Sequence, residues 1–319
     1  MNKDLRLDTI RTMAIIFVVL IHSMGILNDT PETKSILAIK GFYSIIYVGV
    51  PLFVMLSGAL LLGKDEPINL FLKKRFHRVL IPFFLWSVIV SLIHFFQNGD
   101  RDILNWSFLF TKELFGNGVH SIYWYVYMIL GLYMLTPILR CIAKNTKLLV
   151  YSITVCFGLY YLQYVLPEFS LVNRFQFQNL LYIGYFLTGY FLYTSNLNIR
   201  TKHLFKIIFI FLYFAQVLST ILKIDFSLNP FIAICLFATM LSIEPIKSNR
   251  IKAAINTISK YSYGIYLSHF ILISIILKIT LVSKIPLFIE PIVMGIIVIL
   301  LDTALLYFIQ KIKLSKFFM

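Results

Sequence analysis

Apolar runs of bilayer length recur along the whole chain, and they limit the fold more than any other feature of the sequence. Runs such as IIFVVLI and IIFIFLYF do not alternate polar and apolar positions, as the strands of a closed membrane barrel must. A helix needs about 20 predominantly apolar residues to cross the hydrocarbon core. Ten segments meet that measure, at roughly 10–27, 41–62, 79–96, 122–140, 148–165, 177–194, 204–222, 228–243, 260–279 and 287–309. The eighth is short and flanked by polar residues. Only 13% of the 319 residues are charged, against about a quarter in soluble chains. The expected fold is therefore all-α, a polytopic transmembrane helical bundle of about ten spans.

Charge orients the bundle. The net charge of +15 would raise the question of nucleic acid in a soluble chain. Here the basic residues lie in short loops on alternate sides of the spans, where topology and anionic headgroups account for them. Residues 1–11, 63–78, 140–147, 200–206, 244–260 and 310–319 hold 21 of the 29 Lys and Arg. Ten spans place these stretches and both termini on the cytoplasmic side. One external loop, with Lys278 and Lys284, runs against the pattern. No cleavage site follows the first apolar run, so it reads as a retained helix. The longest loop, about 97–121, contains WSFLF, a piece suited to the membrane interface. A single transmembrane domain over 1–319 is expected. Cys141, Cys156 and Cys235 form no CxxC pair and suggest neither a metal site nor a disulfide framework.

Ionisable side chains at membrane depth are costly and invite functional explanations. His22 lies about 18 Å into the bilayer if the first helix enters near residue 10, and it shares a face with Arg11, about 16 Å away along the axis. Asp8 precedes Arg11 by one turn. Arg11 also suits a snorkelling anchor, and His22 a packing hydrogen bond, but an imidazole adds a group that titrates near neutrality. His269, in SKYSYGIYLSHF, arrives at similar depth on the ninth span. Two imidazoles without a third ligand make a weak metal signal, and no metal is assigned. Lys73, Lys74, Arg75 and Arg78 precede the third span. Such a cluster suits a polyanion and equally the positive-inside belt. Ser57-Gly58 permits close helix approach. Tyr123, Trp124, Tyr125 and Tyr127 suit an aromatic belt or a platform for a sugar ring, with His120 at its mouth. Asp302 and Glu290 would orient a histidine or line a wet cavity. There is no G-x-S-x-G elbow, Walker loop or H-E-x-x-H.

Five pieces in this order resemble the membrane-bound acyltransferases called acyltransferase family 3: LDTIRTMAIIFVVLIH, PLFVMLSGALLL, KKRFHRVLIPFFLW, YWYVYMILGLYMLTPIL and SYGIYLSHF. The family's basic residue followed after ten residues by histidine is matched by Arg11 and His22, its Arg-x-x-Arg by Arg75 and Arg78, and its aspartate by Asp8. The resemblance implies an O-acyltransferase that takes an acyl group, usually acetyl from acetyl-CoA (acyl-CoA as co-substrate), on the cytoplasmic side of a bacterial plasma membrane. The acceptor would be a cell-surface polysaccharide or lipid-linked sugar precursor. Some members carry a fused extracellular domain after the last span; this chain, ending at 319, is expected to lack one and to transfer directly or through a separate polysaccharide-synthesis protein.

On that resemblance His22 is the catalytic base or acyl carrier. Arg11, Arg75 and Arg78 hold the phosphates of the acyl-CoA, and Asp8, Ser57, Tyr123, Trp124 and His269 support the site or bind substrate. Asp8, about 21 Å from His22 by helix rise, would pair with Arg11 or another cytoplasmic group. The rival reading is a transporter or flippase for a sugar-containing molecule, with His22 and His269 lining its path.

Overall fold

A computed structural model describes residues 4–25, 30–97, 102–116, 118–165, 178–195, 197–224, 226–244, 246–278 and 285–319, and every regular element among them is helical. In chain order these are α1 (Leu5–Ser23), α2 (Lys34–Phe42), which continues through a 3₁₀ turn (Tyr43–Val48) into α3 (Gly49–Leu61), and α4 (Ile68–Gln97). Next come α5 (Ile103–Phe115), a 3₁₀ turn (Ser121–Tyr123) that leads into α6 (Trp124–Ala143), α7 (Thr146–Val165) and α8 (Gln178–Thr194). Last are α9 (Ile199–Ile221), α10 (Asn229–Leu241), α11 (Asn249–Lys278), α12 (Glu290–Lys311) and α13 (Ser315–Phe318).

Among the described residues, six stretches are long and apolar enough to cross a membrane: Lys34–Leu61, Ile68–Gln97, Ser121–Ala143, Ile199–Ile221, Asn249–Lys278 and Glu290–Lys311. The other four expected spans are also helical but differ in physical character. The first, α1, carries Arg6, Asp8 and Arg11 in its first two turns. Helix α10 has 13 residues, about 20 Å of rise, short of a hydrocarbon core of about 30 Å. Lys284, residues 166–176 and the last two positions of the first expected span lie outside the described residues.

Hydropathy placed several element ends wrongly. Helix α4 starts at Ile68 instead of 79, so the basic run LFLKKRFHR is helical, and Pro82 sits inside the helix instead of loosening its first turn. Proline removes one helical hydrogen bond and pushes on the carbonyl four residues back; the Tyr263 hydroxyl donates to the neighbouring Val79 carbonyl at 2.8 Å. The loop expected at 28–40 contains α2, and that at 97–121 contains α5. The Asp102 carboxylate caps α5 by accepting from the Leu104 and Asn105 amides. The helix turns Ile103, Leu104, Phe108 and Phe115 outward, while Trp106 stacks on Phe110 and donates to Ser91 Oγ at 2.9 Å.

Helix α1 packs against α3, α11 and α12 through Ile10, Ala14, Ile15 and Val19, all fully buried. Polar contacts tie it to α11: Thr12 Oγ1 donates to the Ile255 carbonyl at 3.1 Å and Ser259 Oγ to Asp8 Oδ1 at 2.6 Å. Helices α3 and α8 approach until backbone meets backbone. A Cβ at Gly58 would overlap the Phe186 carbonyl, and one at Gly189 the Met55 carbonyl, so Ser57-Gly58 makes the close approach its composition suggests. Helix α12 ends in a left-handed Lys313 (φ 63°). The Leu314 amide bonds the Ile309 carbonyl and the Lys313 amide that of Gln310, the Schellman pattern. That reversal carries α13 back onto α4, where the Trp86 indole donates to the Phe318 carbonyl at 3.4 Å.

Candidate functional site

At the end of the bundle where α1 and α4 begin and α3, α6 and α12 finish, a cavity of about 620 Å³ opens between the helices. Arg11 enters it from α1, Arg75 and Arg78 from one face of α4, Lys64 from the α3–α4 turn and Lys260 from α11. The three arginines singled out in the sequence thus share one wall-to-wall space, with Asp8 and Ser57 also lining it. A helical α4 explains the Arg pair, since residues three apart are neighbours on a helix surface.

Asp8 pairs with Arg11 at 3.3 Å, and Ser259 bridges both: its hydroxyl reaches Asp8 Oδ1, and Arg11 Nη1 donates to its oxygen at 3.2 Å. Arg11 is held at a fixed height in the cavity, and the carboxylate offsets part of the cost of burying the guanidinium.

Beside the cavity, at the α3–α4 turn, lies an ion-pair cluster built on two residues not singled out from sequence, Glu66 and Arg140. Arg140, buried at the end of α6, donates from Nε to the Leu61 carbonyl at 3.1 Å and from Nη1 to the Glu66 carbonyl at 3.3 Å. Its guanidinium also lies 4.5 Å from the Phe71 ring centroid. The Glu66 carboxylate in turn meets Lys74 at 3.5 Å, Arg75 at 3.8 Å and Arg140 at 3.5 Å. Partial burial and then the Arg75 cation push the Lys64 ammonium below the usual lysine pKa; Glu66 pulls the other way.

Inward, the cavity ends on Tyr125, Tyr133, Tyr263 and Tyr266. Tyr125 and Tyr266 lie 5.3 Å apart between ring centroids, and the Tyr266 hydroxyl is committed to the Ile122 carbonyl. Behind this floor stand His22 and His269, their ring centroids 5.2 Å apart. His269 is fully buried. Its Nδ1 lies 3.0 Å and 2.8 Å from the Ile265 and Tyr266 carbonyls. Only N–H can satisfy a carbonyl, so Nδ1 carries the proton in the neutral ring and Nε2 keeps its lone pair. The structure therefore joins the two imidazoles that sequence could place only at similar depth. It also departs from the expected open run from Arg11 to His22: neither histidine is among the residues lining the cavity. One aromatic layer intervenes, the Tyr266 and His269 centroids being 6.1 Å apart.

Other candidates fall elsewhere. Tyr123 is fully buried and donates to the Leu267 carbonyl at 3.0 Å, which suits neither a lipid-facing belt nor an open sugar platform. Trp124 is 44% exposed and packs beside Tyr182. His120 stacks on Phe270 at 4.1 Å; partial burial and then His94 lower its pKa. Asp302 orients no histidine: its Oδ1 lies 2.6 Å from Ser268 Oγ. Glu290 is buried in the first turn of α12. His77 is exposed, as a solvated histidine should be.

The fold and the site describe a helical membrane protein with a cation-lined cavity at one end of its bundle. The chain matches the family model described as an acyltransferase domain over residues 4–309. It belongs to that family, the membrane acyltransferases. No curated protein and no solved structure matches it.

Proposed function

We propose that the protein transfers an acyl group, acetyl foremost, from acyl-CoA to a hydroxyl of a cell-surface polysaccharide or lipid-linked sugar precursor. On this reading it spans a bacterial plasma membrane ten times, with both termini and the cavity facing the cytosol. The observation that carries the reading is the convergence of Arg11, Arg75 and Arg78 on one cavity whose aromatic floor backs onto the His22–His269 pair.

The chemistry follows from those positions. The arginines bind phosphate oxygens by charge-assisted hydrogen bonds, and the pantetheine arm passes between Tyr125 and Tyr266 as these rings turn aside. His22 takes the proton of the acceptor hydroxyl as its oxygen attacks the thioester carbonyl. The C–O bond forms, the C–S bond breaks, and His22 returns the proton to the departing thiolate. His269, its tautomer fixed by two carbonyls, is a positioning residue packed against the His22 ring.

Two variants test this. His22→Ala should cut acyl transfer by about 10²–10⁴-fold with CoA affinity retained, read as the acylated fraction of surface glycans by mass spectrometry and as CoA binding to the purified protein. A folded His22→Ala protein with parental transfer would overturn the assignment. Arg78→Ala should weaken CoA binding by about 10–100-fold, the worth of one charge-assisted contact; unchanged affinity would remove Arg78 from the donor site.

A further inference from the structure

Two overlapping groups of cations lie in and beside the cavity, with Arg75 common to both. Arg11, Arg75 and Arg78 all lie within electrostatic reach of Tyr133 on the floor, and Arg11 also of Arg78 and Tyr125. At the α3–α4 turn, Lys64, Lys74, Arg75 and Arg140 surround the single carboxylate of Glu66. The fit of this second group is poor for a finished ion-pair network. None of the three contacts to the carboxylate is shorter than 3.5 Å. Arg75 Nε, Arg140 Nη2 and Glu66 Oε1 are all buried without a hydrogen-bond partner among the described residues. The two donors among them, Arg75 Nε and Arg140 Nη2, cost about 1–3 kcal/mol each in this condition, and the acceptor oxygens of a tetrahedral anion can satisfy such donors. Arg140 is immobile, pinned by two carbonyls and a ring. Lys64 and Lys74 are exposed.

We infer that this cluster at the α3–α4 turn is a second anion subsite, which takes a phosphomonoester of the donor through Lys64, Lys74 and Arg75, with Glu66 as the internal counter-ion against which that phosphate competes. The inference rests on the acyl-CoA reading and refines it. Coenzyme A carries a diphosphate next to its pantetheine arm and a separate phosphomonoester at the 3′ position of its ribose. The arm points at the floor, so the diphosphate meets Arg11 and Arg78, and the 3′-phosphate, with a charge of about −1.5 to −2, lies at that turn. The depressed Lys64 pKa agrees: burial first and then the Arg75 cation disfavour its charge, and an added anion offsets both.

The experiment compares the affinity of the detergent-solubilised full chain for CoA and for 3′-dephospho-CoA. The parent protein should bind CoA about 10–100-fold tighter, one or two charge-assisted contacts in worth. Replacing both Lys64→Gln and Lys74→Gln should collapse most of that ratio by weakening CoA alone; both side chains are exposed, so folding is not at stake. Glu66→Gln keeps the backbone carbonyl that Arg140 uses and should tighten CoA several-fold with 3′-dephospho-CoA unchanged. Equal affinities in the parent, or a ratio untouched by the double lysine change, would overturn the second subsite. Weaker binding of both ligands to Glu66→Gln would show that Glu66 steadies Arg75 and does not compete. Failure of either ligand to bind any of the proteins would sink the acyl-CoA reading itself.

Discussion

Gly58 shows how little space some positions leave. Its missing side chain lets α3 touch the α8 backbone at Phe186, and backbone on backbone has no rotamer through which to yield. Gly58→Ala should destabilise the protein by at least the 1–3 kcal/mol or so of ordinary overpacking, seen as a drop in melting temperature in detergent. Gly131→Ala, where a methyl meets nothing within 4 Å, should be neutral or stabilise by roughly 0.5–1 kcal/mol; equal losses at both sites would refute the contact argument. At this scale the sequence was legible wherever a residue was odd in its own neighbourhood. Ser57-Gly58, His22, His269 and the Arg75–Arg78 pair all qualified. Glu66 and Arg140 did not: a glutamate in a turn and an arginine at a helix end look ordinary until the fold brings them within 3.5 Å. Tyr123 misled because aromatic belts and buried tyrosines have the same composition.

Among the helices, hydropathy located apolar segments but not their ends. The polar first turns of α4 and α11 add no apolar signal, yet they continue the helices as far as Ile68 and Asn249. The first turns of α4 also place Arg75 and Arg78 on the cavity wall. The C-terminus of α12 offers a separate test. Lys313 adopts a left-handed conformation that costs an L-residue with a Cβ about 1–2 kcal/mol. Lys313→Gly should stabilise the protein by roughly 0.5–1 kcal/mol after the added freedom of the unfolded chain is counted, measured by thermal unfolding. A loss instead would mean that the lysine side chain holds the reversal into α13.

In the whole molecule, α1 runs alongside α11, so Asp8 and Arg11 meet Ser259 near one end and His22 meets His269 farther in. No local pattern encodes that adjacency, which arises from packing between segments some 250 residues apart. Orientation in the bilayer has a direct check, because Cys141 is the exposed cysteine, next to Arg140 at the cavity end of α6, while Cys156 and Cys235 are buried. An impermeant maleimide should label Cys141 in inside-out vesicles and spare it in intact cells; the reverse pattern would turn the proposed topology over. The tyrosine layer between the arginines and the imidazoles carries one more consequence. On the proposed function, solvent entering with the coenzyme would stop at those rings, and a thioester beyond them would be spared hydrolysis. Trimming Tyr125 to alanine should then make the enzyme leak, spending acyl-CoA on water when no acceptor is present.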